Sequence, residues 1–137
     1  MGLILDSTVV IAAERRQAPV EDLLDEIRAI TGPMEIALSV VSVMELEHGI
    51  WRARDAARAD RRQQFLEDLI STIPVYPLTL KLARTAGRID AELQDRGIRI
   101  AFPDLLIGVS ALELGYGIGT ANVRHFARIP GLAITRL

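Results

Sequence analysis

Apolar and polar positions alternate along the chain in blocks whose period changes. Gly2–Leu5 is a short apolar run that stops at Asp6, and Ser7 and Thr8 follow as caps for a helix beginning near Val9. Val20, Leu23, Leu24, Ile27 and Ile30 recur at helical intervals with acids between them, until Gly32-Pro33 ends the segment. Glu35–Ser39 suits a second buried strand. Ser42-Val43-Met44-Glu45 then matches a capping box, which predicts a helix from there to about Arg58. Further amphipathic helices are expected over 61–72 and Thr79–Gln94, with Val75-Tyr76 as a short extended piece between two prolines. Ile98–Phe102 leads into Pro103, well placed in the first turn of a helix that carries Leu105 to Leu114 and ends at Gly115. Gly117–Ala121 and Leu132–Thr135 are the last strand candidates.

Strands separated by helices predict an α/β fold of three layers, a central parallel sheet with helices on both faces, because each parallel crossover needs a dozen or more residues. The chain has 137 residues, 50% of them hydrophobic, which is enough for one domain with a real core and too little for two ordinary ones, so residues 1–137 read as a single domain. No linker, repeat or low-complexity tract interrupts it.

Composition narrows the function classes. With no cysteine there is neither a disulfide framework nor a thiolate metal site, and a reducing cytoplasm is the expected compartment. The longest uncharged run, Leu69 to Leu80, contains Pro74 and Pro77 and is too short to span a bilayer. Asp6 interrupts the first apolar stretch before it could become a signal-peptide core. A net charge of -2 argues against binding nucleic acid by bulk electrostatics, so any such contact must be local. All the basic residues but Lys81 are arginine, the side chain better suited to gripping phosphate.

The candidate chemistry lies in three acids. Asp6 directly follows a buried-type strand, at the rim where α/β sheets bind ligands, although it could equally cap the next helix. Glu45 fits the capping box, and Gly49 lies one turn on along the same face; Glu47 points the other way and reads as a solvated surface acid. Asp104 sits in the first turn of an apolar helix, where the helix dipole favours a carboxylate, and Gly108 repeats the acid-then-glycine spacing. Two helices with this pattern on one face could approach closely around a shared pocket.

Three carboxylates brought together would repel one another unless they held a cation. An all-oxygen set points to Mg²⁺ or Mn²⁺. Zinc is disfavoured, because His48 and His125 are the only histidines and lie far apart in the chain. His48 reads as helix surface, and His125 is left without a role.

The runs Leu5-Asp6-Ser7-Thr8, Glu45-Leu46-Glu47-His48-Gly49, Pro103-Asp104-Leu105-Leu106-Ile107 and Thr120-Ala121-Asn122-Val123-Arg124-His125-Phe126, in this order across nearly the whole chain, resemble the PIN-domain family. More narrowly they resemble the VapC toxins of bacterial type II toxin-antitoxin pairs, the block from Thr120 through Pro130-Gly131-Leu132 being the most specific part. The resemblance implies a PIN fold, Mg²⁺-dependent endoribonuclease activity leaving 5′-phosphate and 3′-hydroxyl ends, a cognate VapB-like antitoxin and a homodimer. It carries Asp6 and Asp104 across as metal ligands and Glu45 as the third acid. The fourth acidic position of the family falls on Asn122, whose amide adds no negative charge, so a single firmly held ion is expected. Thr120 and Ser7 would support the site.

In that reading Asp6 and Asp104 hold the ion and Glu45 positions a water in line with the scissile bond. Arg15, Arg16, Arg99 and Arg124 flank the motifs and are candidates for contacting RNA. The arginines between Arg52 and Arg62 are expected to be spread around a helix axis as a solvated face. Trp51, the only tryptophan, reads as a core residue, with a groove for an antitoxin helix as the alternative. Rival readings are a PIN-domain nuclease in RNA processing and a non-catalytic PIN-like binding module. A phosphoacceptor domain fits poorly, since Asp6 is followed by Ser7 and the sole lysine is Lys81.

Overall fold

A computed structural model describes residues 1–137. The chain forms strand β1 (Gly2–Leu5), helices α1 (Ser7–Arg15) and α2 (Val20–Thr31), strand β2 (Glu35–Ser39), helices α3 (Val40–Trp51) and α4 (Ala56–Thr72), and strand β3 (Val75–Tyr76). It continues through helices α5 (Leu80–Asp95) and α6 (Phe102–Leu114), strand β4 (Gly117–Thr120), the short helix α7 (Val123–Phe126) and strand β5 (Ile134–Arg136). The five strands are all parallel, in the order β3-β2-β1-β4-β5.

Both faces of the sheet are covered, which is why its central strands are apolar on both sides. Leu3 and Leu5 of β1, with Ile36 and Leu38 of β2, pack into a cluster with Val9, Leu23, Leu24 and Leu69 from α1, α2 and α4. Ile4 and Ala37, one residue out of phase, join Ile118 against Val41, Ile107, Ala111 and Phe126 on the opposite face. A third cluster welds α5 to α6 through Leu82, Ile89, Leu93, Leu105 and Val109. Each fully buried Leu or Ile contributes about 1.5–3 kcal/mol, so β1 is anchored from both sides and the residue at its exit has a fixed position. That residue is Asp6.

The chain winds outward from β1 to β2 and β3, then returns to lay β4 and β5 on the other side of β1. The switch point therefore falls between the carboxyl ends of β1 and β4, the crevice where α/β sheets bind ligands.

Several helix ends differ from the sequence expectation. The cap of α3 is Ser39, whose Oγ accepts the Val41 N–H at 3.1 Å, and not Ser42. Ser42 is buried inside the helix and its hydroxyl donates to the Leu5 carbonyl, so Glu45 belongs to no capping box. The helix stops at Trp51, and α4 starts at Ala56 under Asp55, which accepts the Arg58 N–H at 2.8 Å. The break expected near 59–60 thus falls several residues earlier, because good helix formers on both sides leave its position to the Asp55 cap. Trp51 is 81% exposed and is no core residue; its indole N–H donates to Glu47 on the same helix face. No helix is long and apolar enough to cross a membrane.

Candidate active site

Asp6 is the hinge of the site. It occupies the N-cap position of α1, yet its side chain caps nothing. Its backbone N–H instead donates to the Gly119 carbonyl, continuing the β1–β4 ladder, and this turns the carboxylate toward the end of β4. There the Thr120 hydroxyl donates to Oδ2 at 2.9 Å, and Thr8 donates to the same oxygen at 2.7 Å. Asp6 is only 2% exposed, so these two bonds offset the cost of burying its charge. Helix capping is thus excluded as the reason for an acid at this position.

Thr120 is fully buried and works in two directions, since its Oγ1 also accepts the Asn122 N–H at 2.8 Å. The turn after β4 is thereby fixed against Asp6, with Asn122 at the N-cap of α7 and its amide free of any capping bond.

Glu45, in the second turn of α3, is half-buried and accepts a hydrogen bond from Ser7 at 3.0 Å. Asp104, in the first turn of α6, pairs through Oδ2 with His125 Nδ1 at 3.0 Å. Burial pushes the Glu45 carboxyl above its ordinary range; the Ser7 bond opposes this, and repulsion from Asp6 and Asp104 adds to it. Burial likewise raises Asp104, with the nearby His125 lowering it and Asp6 raising it. Each acid therefore feels at least one of the others, and the protein ties each carboxylate through only one of its oxygens. As placed, however, no three Asp, Glu or His side chains are drawn together into a finished metal-binding set.

The two glycines do not bring α3 and α6 together around a pocket, contrary to the expectation from their spacing. A Cβ at Gly49 would meet nothing within 4 Å, so no backbone approaches there. Gly108 is tightly covered, with Ile129 Cδ1 only 2.5 Å from an added Cβ, but the cover comes from the segment after α7 and not from α3.

Around Asp104 opens a cleft of about 680 Å³ lined by Arg99, Arg124, Arg128, His125 and Asn122. Arg99 and Arg124 thus come to Asp104 together. Arg15 is reached from the other side, in an apolar groove between α1, α3 and α4 that also carries Glu45. Arg16 is engaged with Glu26 of α2 and lines neither cleft. His125 and Arg128 carried no expectation from the sequence; the signal for His125 was its place within the Asn122–Phe126 block, but its partner is set by how α7 docks on α6.

Comparison with known proteins agrees with this architecture. A family model for the PIN domain matches residues 3–132. Ribonuclease VapC of Rickettsia bellii is 30% identical over 134 residues, covering 98% of this chain and 95% of that protein. The tRNA(fMet)-specific endonuclease VapC of Salmonella typhimurium is 31% identical over 99 residues, covering 72% of this chain and 73% of that one. Among solved structures, VapBC2 of Rickettsia felis bound to a DNA fragment from its promoter superposes with a TM-score of 0.86, covering 100% of this chain and 99% of the matched one. At 22% identity that likeness speaks for the fold alone. On the matched family model and these relatives, the chain belongs to the PIN-domain family, among the proteins called VapC.

Proposed function

We propose that this chain, as a single PIN domain, is the toxic ribonuclease of a type II toxin-antitoxin pair and cuts RNA in a Mg²⁺-dependent endonucleolytic reaction. The observation that supports the reading is that Asp6, at the sheet's switch point, acts electrostatically on both Glu45 and Asp104, and each of the three acids keeps an oxygen not engaged by the protein. These residues fit a hard divalent cation. The donors are all oxygen, and the two half-buried acids are held above their ordinary range first by burial and then by repulsion from neighbouring carboxylates, which a cation would relieve. Asp6 and Asp104 would hold the ion, with Mn²⁺ able to replace Mg²⁺ and the neutral Asn122 favouring one firmly held ion over two. When bound, such an ion lowers the pKa of coordinated water and neutralises charge on the phosphoryl oxygens.

The chain's own residues divide the remaining work. Thr8 and Thr120 fix Asp6, so its free oxygen keeps a set direction. Ser7 holds one Glu45 oxygen and leaves the other to orient a water in line with the scissile bond. Arg99 and Arg124 stand beside Asp104 to receive the flanking phosphates.

The groove lined by Val10, Ile11, Leu46, Phe65 and Leu66 runs up to Glu45 and suits the apolar face of a helix from a VapB-like antitoxin. A helix seated there would lie against Glu45 and cover it.

The deciding experiment is cleavage of a panel of structured RNAs with Mg²⁺, with EDTA, and by the Asp6→Ala and Asp104→Ala variants. Cutting that needs Mg²⁺ and is lost in both variants is expected. Activity that survives chelation and both substitutions would overturn the metal-nuclease reading. Growth arrest on expression, relieved by a small protein encoded alongside, tests the toxin role; neither effect would favour a housekeeping nuclease.

A further inference from the structure

The break between α3 and α4 changes what the arginines of that region do. Because the chain turns at 52–55 instead of staying helical to about Arg58, Arg52 and Arg54 come beside the first turns of α4. With Arg58, Arg61 and Arg62 they line a single open cleft of about 530 Å³, to which α1 adds Arg15. No apolar side chain lines it, and Glu14 is the one acid. Arg58 is loosely paired with Asp55 at 3.7 Å, and Arg62 donates to the Gly49 carbonyl. Arg15, Arg52, Arg54 and Arg61 take part in no ion pair.

A chain of net charge -2 that concentrates so many unpaired guanidinium groups in one place holds a local site for a polyanion. The location says which. Glu14, Arg15 and Arg62 also line the apolar groove that carries Glu45, so the arginine cleft adjoins the approach to Glu45 from the side of α1 and α4. Arg99, Arg124 and Arg128 border Asp104 from the side of α6 and α7. Cations thus stand on the approach to Glu45 and beside Asp104 alike. An acidic peptide would need some apolar cover to bind firmly, and this cleft offers none; a phosphodiester backbone needs only forks of N–H donors.

We infer that the cleft formed by Arg15, Arg52, Arg54, Arg58, Arg61 and Arg62 grips the phosphate backbone of the RNA substrate away from the bond that is cut. The inference rests on the ribonuclease reading for its substrate class. The cleft acts on affinity and on substrate length, and takes no part in bond breaking.

The test uses the triple variant R52Q/R54Q/R61Q, whose three positions are exposed and outside the acid site. Its melting temperature is checked against the wild type. Binding of a single-stranded RNA oligonucleotide is measured in EDTA over a range of salt, which reads the cleft whether or not the protein cuts. The slope of log K against log salt should become shallower by roughly 0.7 for each phosphate no longer neutralised, about 2 in all. In Mg²⁺, KM for long RNA should rise while kcat holds, and a dinucleotide substrate should be cut at the wild-type rate. An unchanged salt slope overturns the inference. So does a variant that binds RNA normally but loses an oligo-glutamate peptide, which would assign the cleft to an acidic protein segment. If the wild type cuts no RNA, the ribonuclease reading fails, while the EDTA binding series still decides the cleft.

Discussion

The Thr120 hydroxyl donates to Asp6 Oδ2 at 2.9 Å while accepting the Asn122 N–H at 2.8 Å, so one buried side chain joins the exits of β1 and β4 to the turn that follows. Thr120→Val keeps the shape and removes both bonds. Hydrogen bonds to charged groups are worth about 1.5–3 kcal/mol, and a loss of that size is expected in urea unfolding. RNA cleavage should fall with it, and Thr120→Ser should restore most of both. An unfolding midpoint unchanged in Thr120→Val would show that Asp6 does not depend on this contact.

The metal-free site should be less stable at neutral pH than in mild acid. Folding raises the Glu45 and Asp104 carboxyls above their ordinary values of 4.5 and 3.8. Between each ordinary value and its raised one the folded chain binds more protons than the unfolded chain, so stability falls as pH rises through that window. Glu45→Gln removes one titrating group, and in EDTA its stability relative to the wild type should improve from pH 4 to pH 7. A difference that stays flat with pH would contradict the burial and repulsion assigned to Glu45.

Mg²⁺ titration should raise the melting temperature of the wild type at neutral pH, because a ligand that binds only the folded state stabilises it by mass action. The His125 imidazole resonances should shift in the same titration, since Asp104 is its partner. Asp104→Asn should abolish both responses. A melting temperature indifferent to Mg²⁺ and Mn²⁺ would favour a binding module over an enzyme.

Two glycines one turn below an acid should behave in opposite ways. Gly49→Ala adds a methyl where nothing lies within 4 Å, and replacing a helix-interior glycine should stabilise by about 0.5–1 kcal/mol. Gly108→Val places branched carbon against Ile129, Leu132 and Phe126, and overpacking of this kind costs about 1–3 kcal/mol. Equal effects in thermal melts would mean that the segment after α7 does not press on α6.

Trp51 should emit as a solvent-exposed indole and be quenched freely by acrylamide, given its 81% exposure. A blue-shifted, protected emission that relaxes on dilution would place it in the interface of a homodimer.

Legibility in the sequence followed the range of the physics involved. The order of strands and helices and the α/β class came from local periodicity, because a strand buried on both faces must be apolar throughout and a helix must repeat every three to four residues. Asp6 stood out since an acid that ends such a strand lies at the sheet's rim. Where the outcome depended on which of two local signals won, the pattern misled: Ser39 and Ser42 both look like caps, and the Leu5 carbonyl, distant in sequence, claimed Ser42. The joint between α3 and α4 was expected near 59–60 and falls at 52–55, and with that shift comes the gathering of the arginines.

By itself, then, the sequence determined the elements, the parallel class of the sheet and the acids worth watching, all properties carried by residues near one another in the chain. Only the tertiary structure decided that Thr120 holds Asp6, that His125 holds Asp104, that Trp51 faces solvent and that arginines from α1 and α4 share a cleft. Those are relations between side chains far apart in sequence, and they are fixed by how helices dock on the sheet, which no local pattern encodes.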